Sequence, residues 1–415
     1  MIRFIYSTVA MPIAIFLYGI AELFSMKLRK RQETCNSLLD KLESEPARSE
    51  SSGTRYWFHV SSMGEFEQIK ALLEMLKKNK PQCFIVVTFF SPSGYENSKN
   101  FRFADRMLYM PFDTPHNAKR LLDIIRPNVA VFDRYDVWLN HLLECSKRNV
   151  ALYLLNATAP RKKFPAAYYR KVYSLFDKIY AMNNDDVAYF AGIVGNERVT
   201  YLPDTRFDRI YGAVTRNLES PLFDKKTFEG KQVLVLGSSW QPDEDLVLKA
   251  VEILKSRGHK LVLILVPHEP TPEHINELCA KVGNYVLLSE VKADSAAYDI
   301  SKVLIVDSIG VLLRLYAGAT IAYVGGAFGV GVHSVTEPAG YAVPVICGAG
   351  YSNSPDAVEL VKRKGLKSVS TADELADYTE KLITDETFYK EVSGIAGRYI
   401  KDNTGSTARF FEVIA

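Results

Sequence analysis

From Arg55 onward the chain repeats one pattern, a short buried-type run followed by a helix-like stretch. RYWFHV (55–60) reads as a strand, and in the next segment Ile69, Leu72, Leu73 and Leu76 recur at helical spacing. CFIVVTFF, NVAVFD, VALYLLNA and KIYAM continue the strands, separated by TPHNAKRLLDIIR, VWLNHLLECSKR and FPAAYYRKVYSLF. Uninterrupted apolar strands alternating with helices predict parallel sheet covered by helices on both faces. The pattern pauses at 211–231 and restarts with QVLVLGSS, KLVLILVP, YVLLSE, KVLIVD, TIAYVGG and VPVICG. The expected fold class is therefore α/β: two Rossmann-like, doubly wound domains, without sequence repetition between them. We place them at 55–215 and 228–395. Ligands of such sheets bind beyond the carboxyl ends of the strands. For two in tandem, that puts the site in the cleft between them.

A chain of 415 residues, 47% apolar, can bury two such cores. A net charge of +3 gives no polyelectrolyte signal, so no nucleic-acid partner is expected. The five cysteines are scattered without a CxxC, which fits a reducing compartment rather than a disulfide framework or zinc site. Residues 1–30 stand apart. Phe4 to Ala21 carries no charge, and MKLRKR comes close behind. The apolar run is just long enough to span a bilayer. Cations behind it rather than before it argue against a cleaved signal and hold the rest of the chain in the cytoplasm. An uncleaved anchor, spanning the bilayer or lying in its interface, is expected, against a buried core helix. Residues 31–54 read as a helix and a polar linker.

The loops after strands hold the candidate chemistry. HVSSMGEFEQ (59–68) turns through Ser61, Ser62 and Gly64 and puts Glu65 in the first helical turn. There a carboxylate is stabilised as an anion and can accept a proton. The competing reading is a capping box, with Ser62 as N-cap. Ser91 and Gly94 lie in a Ser/Pro/Gly turn after the second strand, and Asp133, Arg134 and Asp136 come after another. In the second half, His268 directly succeeds a strand, and Gly310 is expected to open a helix with free backbone N–H groups. Gly325, Gly326, Gly329 and Gly331 form a glycine loop ahead of SVTEPAG, where Ser334 and Glu337 have capping-box spacing. A glycine loop before a helix start suits phosphate, and a nearby Glu suits ribose hydroxyls. Neither GxGxxG nor GxxxxGK[ST] occurs. No metal constellation emerges, so no metal is expected.

Together these blocks resemble the 3-deoxy-D-manno-octulosonic acid (Kdo) transferase family of lipopolysaccharide assembly. HVSSMGE is similar to its H-x-x-S-x-G-E, TFFSPSGYE to T-x-T-P-x-G, MPFDTP to P-Y-D-x-P, and YDVWLN to E-x-W-x-N. DTRFD resembles S-x-K-F-D, GSSWQPDED resembles G-S-T-x-x-x-E-E, and residues 309–339 resemble a signature ending G-G-H-N-P-L-E-P-A. The resemblance implies a GT-B fold whose C-terminal helix, 396–415, crosses back to the first domain. It implies an inverting glycosyltransferase (lipid IVA 3-deoxy-D-manno-octulosonic acid transferase) with CMP-Kdo as co-substrate, a lipid A precursor as acceptor, and the cytoplasmic face of the inner membrane as its location. Carried over residue by residue, the base falls on Glu65, the transition-state cation on Arg206 and the retained acid of the W-x-N block on Asp136. The CMP contacts fall on Pro267, His268, Ile309, Gly310, Val311, Gly326, Ser334, Val335, Thr336 and Glu337. Ser61, Ser62, Gly64, Ser91 and Gly94 fall in the acceptor loops. Three departures stand out: Arg206 replaces a Lys, Arg134 replaces the first acid of E-x-E-x-W, and SVTE replaces N-P-L-E. The alternatives are another GT-B enzyme using a UDP-sugar, or a catalytically silent membrane-anchored binding protein.

Overall fold

The computed structural model describes residues 2–44, 53–160, 165–291 and 299–415. Most of the expected polar linker, 45–52, lies outside them. The chain forms two compact units, one of Met1–Arg209 with Gly405–Ala415, the other of Ile210–Thr404.

The first unit is built on a sheet of seven strands: β1 (Arg55–Val60), β2 (Phe84–Phe89), β3 (Arg106–Tyr109), β4 (Val129–Asp133), β5 (Ala151–Ala157), β6 (Lys178–Ala181) and β7 (Val199–Tyr201). Their order is β3-β2-β1-β4-β5-β6-β7, with every pairing parallel. The order reverses between β1 and β4, so the loops after these two strands diverge and leave a crevice at their carboxyl ends. The second unit repeats the architecture with β8 (Gln232–Ser239), β9 (Leu261–Pro267), β10 (Tyr285–Leu287), β11 (Val303–Ile305), β12 (Ile321–Val324), β13 (Val345–Gly348) and β14 (Leu366–Val369). Its order is β10-β11-β9-β8-β12-β13-β14, again parallel, with the reversal between β8 and β12. Strands β1, β4, β8 and β12 are buried almost throughout, as parallel strands covered on both faces must be. Three edge strands were not among the expected runs. Reading RMLY, VTY and LKSV, β3, β7 and β14 are short and broken by polar residues, so they do not stand out as apolar runs.

The chain's end is two helices rather than one. Glu386–Asp402 stays in the second unit, and Ser406–Ile414 belongs to the first. Gly405, at φ +91°, makes the break. The Asp208 carboxylate accepts from the N–H groups of Gly405 (2.5 Å) and Thr407 (2.7 Å) and so caps the last helix. That helix buries Phe410 against Tyr153 and Tyr180.

At the other end, a helical run covers Ile2–Phe24, with one π-turn at Tyr6–Ala10. It is the one helix among the described residues long and apolar enough to cross a membrane, and it is hardly buried. It is nevertheless held to the first unit. Tyr6 Oη donates to Asp113 (2.8 Å), Arg3 and Ser7 donate to Asn140, and Tyr18 packs edge-on to Phe112. The next helix, Met26–Ser44, buries Arg31 completely. The Arg31 guanidinium lies over the rings of Phe90, Phe112, Tyr18 and Tyr109 and donates to the Phe90 and Met110 carbonyls. A cation can be buried there because rings and carbonyls replace its water.

Candidate active site

The first unit gathers its polar groups at the carboxyl ends of β1, β4, β5 and β7. Glu65 lies in the first turn of the helix Met63–Asn79, and only 7% of its surface is exposed. The capping reading of this turn finds support in its geometry. Ser62 is the N-cap, its Oγ accepting from Glu65 N (3.4 Å). Glu65 Oε2 reaches back to the N–H of Ser61, one residue beyond the usual capping-box partner. Oε1 has no partner among the described residues. The expected anion-stabilising helix terminus does not dominate. Burial raises the Glu65 carboxyl above the usual carboxylate range, with the Asp136 charge adding to it, while the Ser61 N–H and the charges of His59 and Arg134 oppose. A carboxylate held this way keeps one lone-pair face open and has its proton affinity moved toward neutrality, as a general base requires.

Asp136 behaves oppositely. Burial alone would raise it, but side-chain hydrogen bonds from His59, Ser61 and Trp138 outweigh that and hold it below the usual range. With its proton on Nε2, His59 donates to Asp136 (2.9 Å), while Nδ1 meets Thr88 Oγ1 (2.9 Å). Asp136 is thus an ionised partner of His59 beside Glu65, not a second base. Asp133 is fully buried and pushed well above its ordinary value by burial, with the nearby Glu65 charge adding to this. Its Oδ1 accepts from Asn156.

Arg206 opens the helix Arg206–Glu219. Its N–H donates to Asp204 Oδ1 (2.8 Å), and Nη2 lies 3.7 Å from Asp204 Oδ2. Ser91 N donates to Ser61 O (2.8 Å), which zips the loops after β1 and β2 together. Gly94 is needed in that zip, because a Cβ there would stand 2.8 Å from the Phe89 ring. Gly64 is exposed on the outer side of the helix start.

In the second unit the residues expected to meet the donor lie after β9, β11 and β12. Pro267 ends β9, and His268 N donates to Ser239 O (3.0 Å). The His268 ring stacks on His333 with centroids 4.1 Å apart, and Trp240 Nε1 donates to His333 Nε2 (3.1 Å). Burial lowers His333 below the usual histidine range, with His268 adding to this. Sequence reasoning assigned no role to His333 or to Trp240. Only the G-S-T-x-x-x-E-E block pointed there.

The glycine loop is closed on itself. Gly329 and Gly331 both donate to Gly326 O, His333 N donates to Gly325 O, and Gly326 N donates to Asp243 (2.9 Å). It is a tight turn that seats His333, rather than an open row of N–H groups. Two expected helix starts also differ. Val335, not Ser334, caps the five-residue helix Thr336–Gly340, and Ser334 Oγ lies against Thr336 Oγ1 (3.2 Å), so no capping box joins Ser334 to Glu337. Gly310 (φ +85°) precedes a single turn, Leu312–Leu315, capped by Val311, and Ile309 projects into solvent at 81% exposure. Val335 and Thr336 are buried, while Glu337 sits in the first turn.

Two parallel doubly wound sheets, each carrying its polar cluster beyond the strand ends, define a GT-B-type α/β protein. The UDP-GlcNAc 2-epimerase of Neisseria meningitidis shares that fold, with a TM-score of 0.58 at 12% identity over 86% of this chain and 100% of that one. Residues 28–209 match the family model described as 3-deoxy-D-manno-octulosonic-acid transferase (kdotransferase). A 3-deoxy-D-manno-octulosonic acid transferase of Haemophilus influenzae is 23% identical, covering 99% of this chain and 98% of its own. One from Aquifex aeolicus is 27% identical over 74% of this chain and 80% of its own. The chain is thus similar to 3-deoxy-D-manno-octulosonic-acid transferases, over its first half by the family model and over most of its length by these relatives.

Proposed function

We propose that the chain transfers Kdo from CMP-Kdo to the glucosamine 6-hydroxyl of a lipid A precursor, with inversion. One observation carries the base assignment. In the block matching H-x-x-S-x-G-E, Glu65 is buried, anchored through Oε2 and open at Oε1. In the reaction, Glu65 takes the hydroxyl proton as the acceptor oxygen bonds to the anomeric carbon, and the bond from that carbon to the CMP phosphate oxygen breaks. The electron pair leaves on the phosphate. Arg206 supplies positive charge to the transition state. The donor rests on Pro267, His268, Ile309, Gly310, Val311 and the segment Ser334 to Glu337. Glu337 accepts from a ribose hydroxyl, and Gly326 shapes the loop beneath. The loops of Ser61, Ser62, Gly64, Ser91 and Gly94 border the acceptor.

The similarity to these transferases supports a role in lipopolysaccharide synthesis, and we assign the enzyme to the cytoplasmic face of the inner membrane. The run Ile2–Phe24 supports attachment in the plane of the interface. Arg3, Tyr6 and Ser7 near one end and Tyr18 near the other all touch the first unit, while Phe4, Phe16, Leu17 and Leu23 stay more than half exposed.

Mass spectrometry of the product made from CMP-Kdo and a tetra-acylated lipid A precursor tests the reading. A mass gain of one or more Kdo units in wild type, absent in Glu65→Gln, is the expected result. Transfer at normal rate by the variant removes the base assignment, and no transfer by wild type removes the reading. A UDP-sugar enzyme would instead be protected from heat by UDP and not by CMP.

A further inference from the structure

Asp113 lies beyond β3 in the MPFDTP block, and its side chain is fully buried. A buried carboxylate needs donors on both oxygens. Oδ2 accepts from Tyr6 Oη (2.8 Å) and Asn140 N (2.9 Å), while Oδ1 accepts from His141 N (2.9 Å) and faces His141 Nδ1 (2.5 Å). The Asp113 carbonyl accepts from Asn140 Nδ2 (2.6 Å). Asn140 and His141 are the second and third residues of the helix Leu139–Lys147, where backbone N–H groups have no partner within the helix. Trp138, the N-cap, supplies no side-chain cap. Asp113 caps the helix instead, from 27 and 28 positions away.

Trp138 ties that helix start to the candidate base. Its Nε1 lies 3.0 Å from His59 Nε2, and its N–H is one of the donors on the Asp136 carboxylate, which His59 meets at 2.9 Å. The Asp136 charge acts in turn on Glu65. The N-terminal run Ile2–Phe24 reaches this network by two routes. On the first, Tyr6 supplies an Asp113 donor, and Ser7 Oγ (3.1 Å) and Arg3 Nε (3.5 Å) donate to Asn140 Oδ1 beside it. On the second, Tyr18 meets Phe90 edge-on with centroids 6.4 Å apart, and Phe90 lies against Trp138 at 5.2 Å. Both routes end at Trp138, so the run belongs to the frame that holds residues 136–138. Attachment to lipid alone would not require a tyrosine hydroxyl on a buried carboxylate.

We propose that Asp113 is a positioning residue for the reaction: by capping Leu139–Lys147 it sets Trp138, and through Trp138 the His59–Asp136 pair beside Glu65, while Tyr6 of the N-terminal run completes its shell of donors. The run is then a working part of the active site as well as an attachment. The network rests on the geometry. Its effect on catalysis rests on the transferase reading.

The test uses the full-length protein in detergent micelles. Tyr6→Phe removes only the hydroxyl, Asp113→Asn alters the cap, and Thr8→Ala is the control, because the Thr8 hydroxyl bonds back to Phe4 O in the same run. With three tryptophans in the chain, fluorotryptophan labelling gives three fluorine NMR signals, of which Trp138→Phe and Trp240→Phe assign two. Tyr6→Phe and Asp113→Asn should move the Trp138 signal and leave that of Trp240, in the second unit, in place. They should lower kcat about 3- to 10-fold while the donor KM stays unchanged. The charged groups facing Glu65 are Asp136, His59, Arg134 and Asp133, and of the charges acting on its carboxyl Asp136 has the largest effect, upward. Displacing Asp136 should therefore move the acid limb of kcat/KM to lower pH. Thr8→Ala should change none of these. A Trp138 signal unmoved in both variants would overturn the network. A moved signal with wild-type kcat and acid limb would overturn its role in the reaction. If wild type makes no Kdo product, the transferase reading fails, and the Trp138 signal still decides the network.

Discussion

Replacing Glu65 by Gln should move activity and stability in opposite directions. Loss of a positioned general base costs about 10²–10⁴-fold in kcat. For stability the sign comes from the raised proton affinity. A carboxyl whose folded-state value lies above its unfolded one stabilises the fold only while protonated, and that contribution is lost as pH rises through the folded value. At neutral pH, ionised Glu65 is therefore a cost, and Glu65→Gln should raise Tm by an amount corresponding to about 0.5–2 kcal/mol. Calorimetry at pH 7 checks this, and an unchanged or lowered Tm would mean that the Ser61 N–H fully compensates burial. The same shift governs the pH–rate profile. The acid limb of kcat/KM should lie above the ordinary glutamate value of about 4.3, because the base must first lose a proton that burial retains. A limb at or below that value would contradict it. Glu65 was legible in sequence because a strand, a Ser-x-Gly turn and a helix start are all local signals. The bonds that join Gln68 to Arg134 and Asp204 were not, because their partners lie 66 and 136 positions apart in the chain, a pairing that only the sheet order creates.

At the scale of elements, strands buried on both faces announced themselves as apolar runs, whereas the edge strands β3, β7 and β14 did not. The glycine loop shows how an element can be located in sequence while its internal bonding is not. A glycine loop before a helix start was expected to suit phosphate, and in the structure its glycine N–H groups close the turn. Gly326 is at φ +95°, and a Cβ there would press on Gly331 O and the His333 ring. Gly329 has neither constraint, since nothing stands within 4 Å of its Cβ position. Gly326→Ala should therefore destabilise by about 1–3 kcal/mol and weaken donor binding through a displaced His333. Gly329→Ala should lie between neutral and about 1 kcal/mol stabilising. Denaturant unfolding of both variants, with donor KM, checks the contrast, and equal effects would mean that the loop is not a fixed turn. A second contrast concerns Asp208. Removing its carboxylate as Asp208→Ala uncaps Ser406–Ile414, which should cost about 0.5–2 kcal/mol and speed proteolysis of the C-terminal helix first. Cleavage elsewhere before that helix loosens would place the weak point in another element.

At the scale of the whole molecule, the issue is how the α/β body would meet the lipid acceptor proposed for it. The apolar run could be found in sequence, but its length alone did not distinguish spanning from lying flat. The contacts support the flat arrangement proposed above. A spanning helix would have to leave Asp113, a fully buried carboxylate that also accepts from Asn140 N, His141 N and His141 Nδ1. It would leave Asp113 without the Tyr6 Oη donor and Asn140 without Arg3 and Ser7. Lying flat keeps every one of these bonds and leaves Phe4, Phe16, Leu17 and Leu23 to meet the lipid. All five cysteines are buried, so single cysteines introduced at Phe4, Leu17 and Phe24 can be labelled selectively with a fluorophore. On vesicles containing anionic lipid, depth-dependent quenchers should place all three labels at a similar shallow depth, about 5–10 Å into the boundary. A spanning helix would separate positions 4 and 24 by about 30 Å across the bilayer, with position 17 deep within it. Three equal shallow depths, lost when Phe16 and Leu17 are both replaced by Asp, would fix the enzyme as one that works along the interface on a substrate embedded in it.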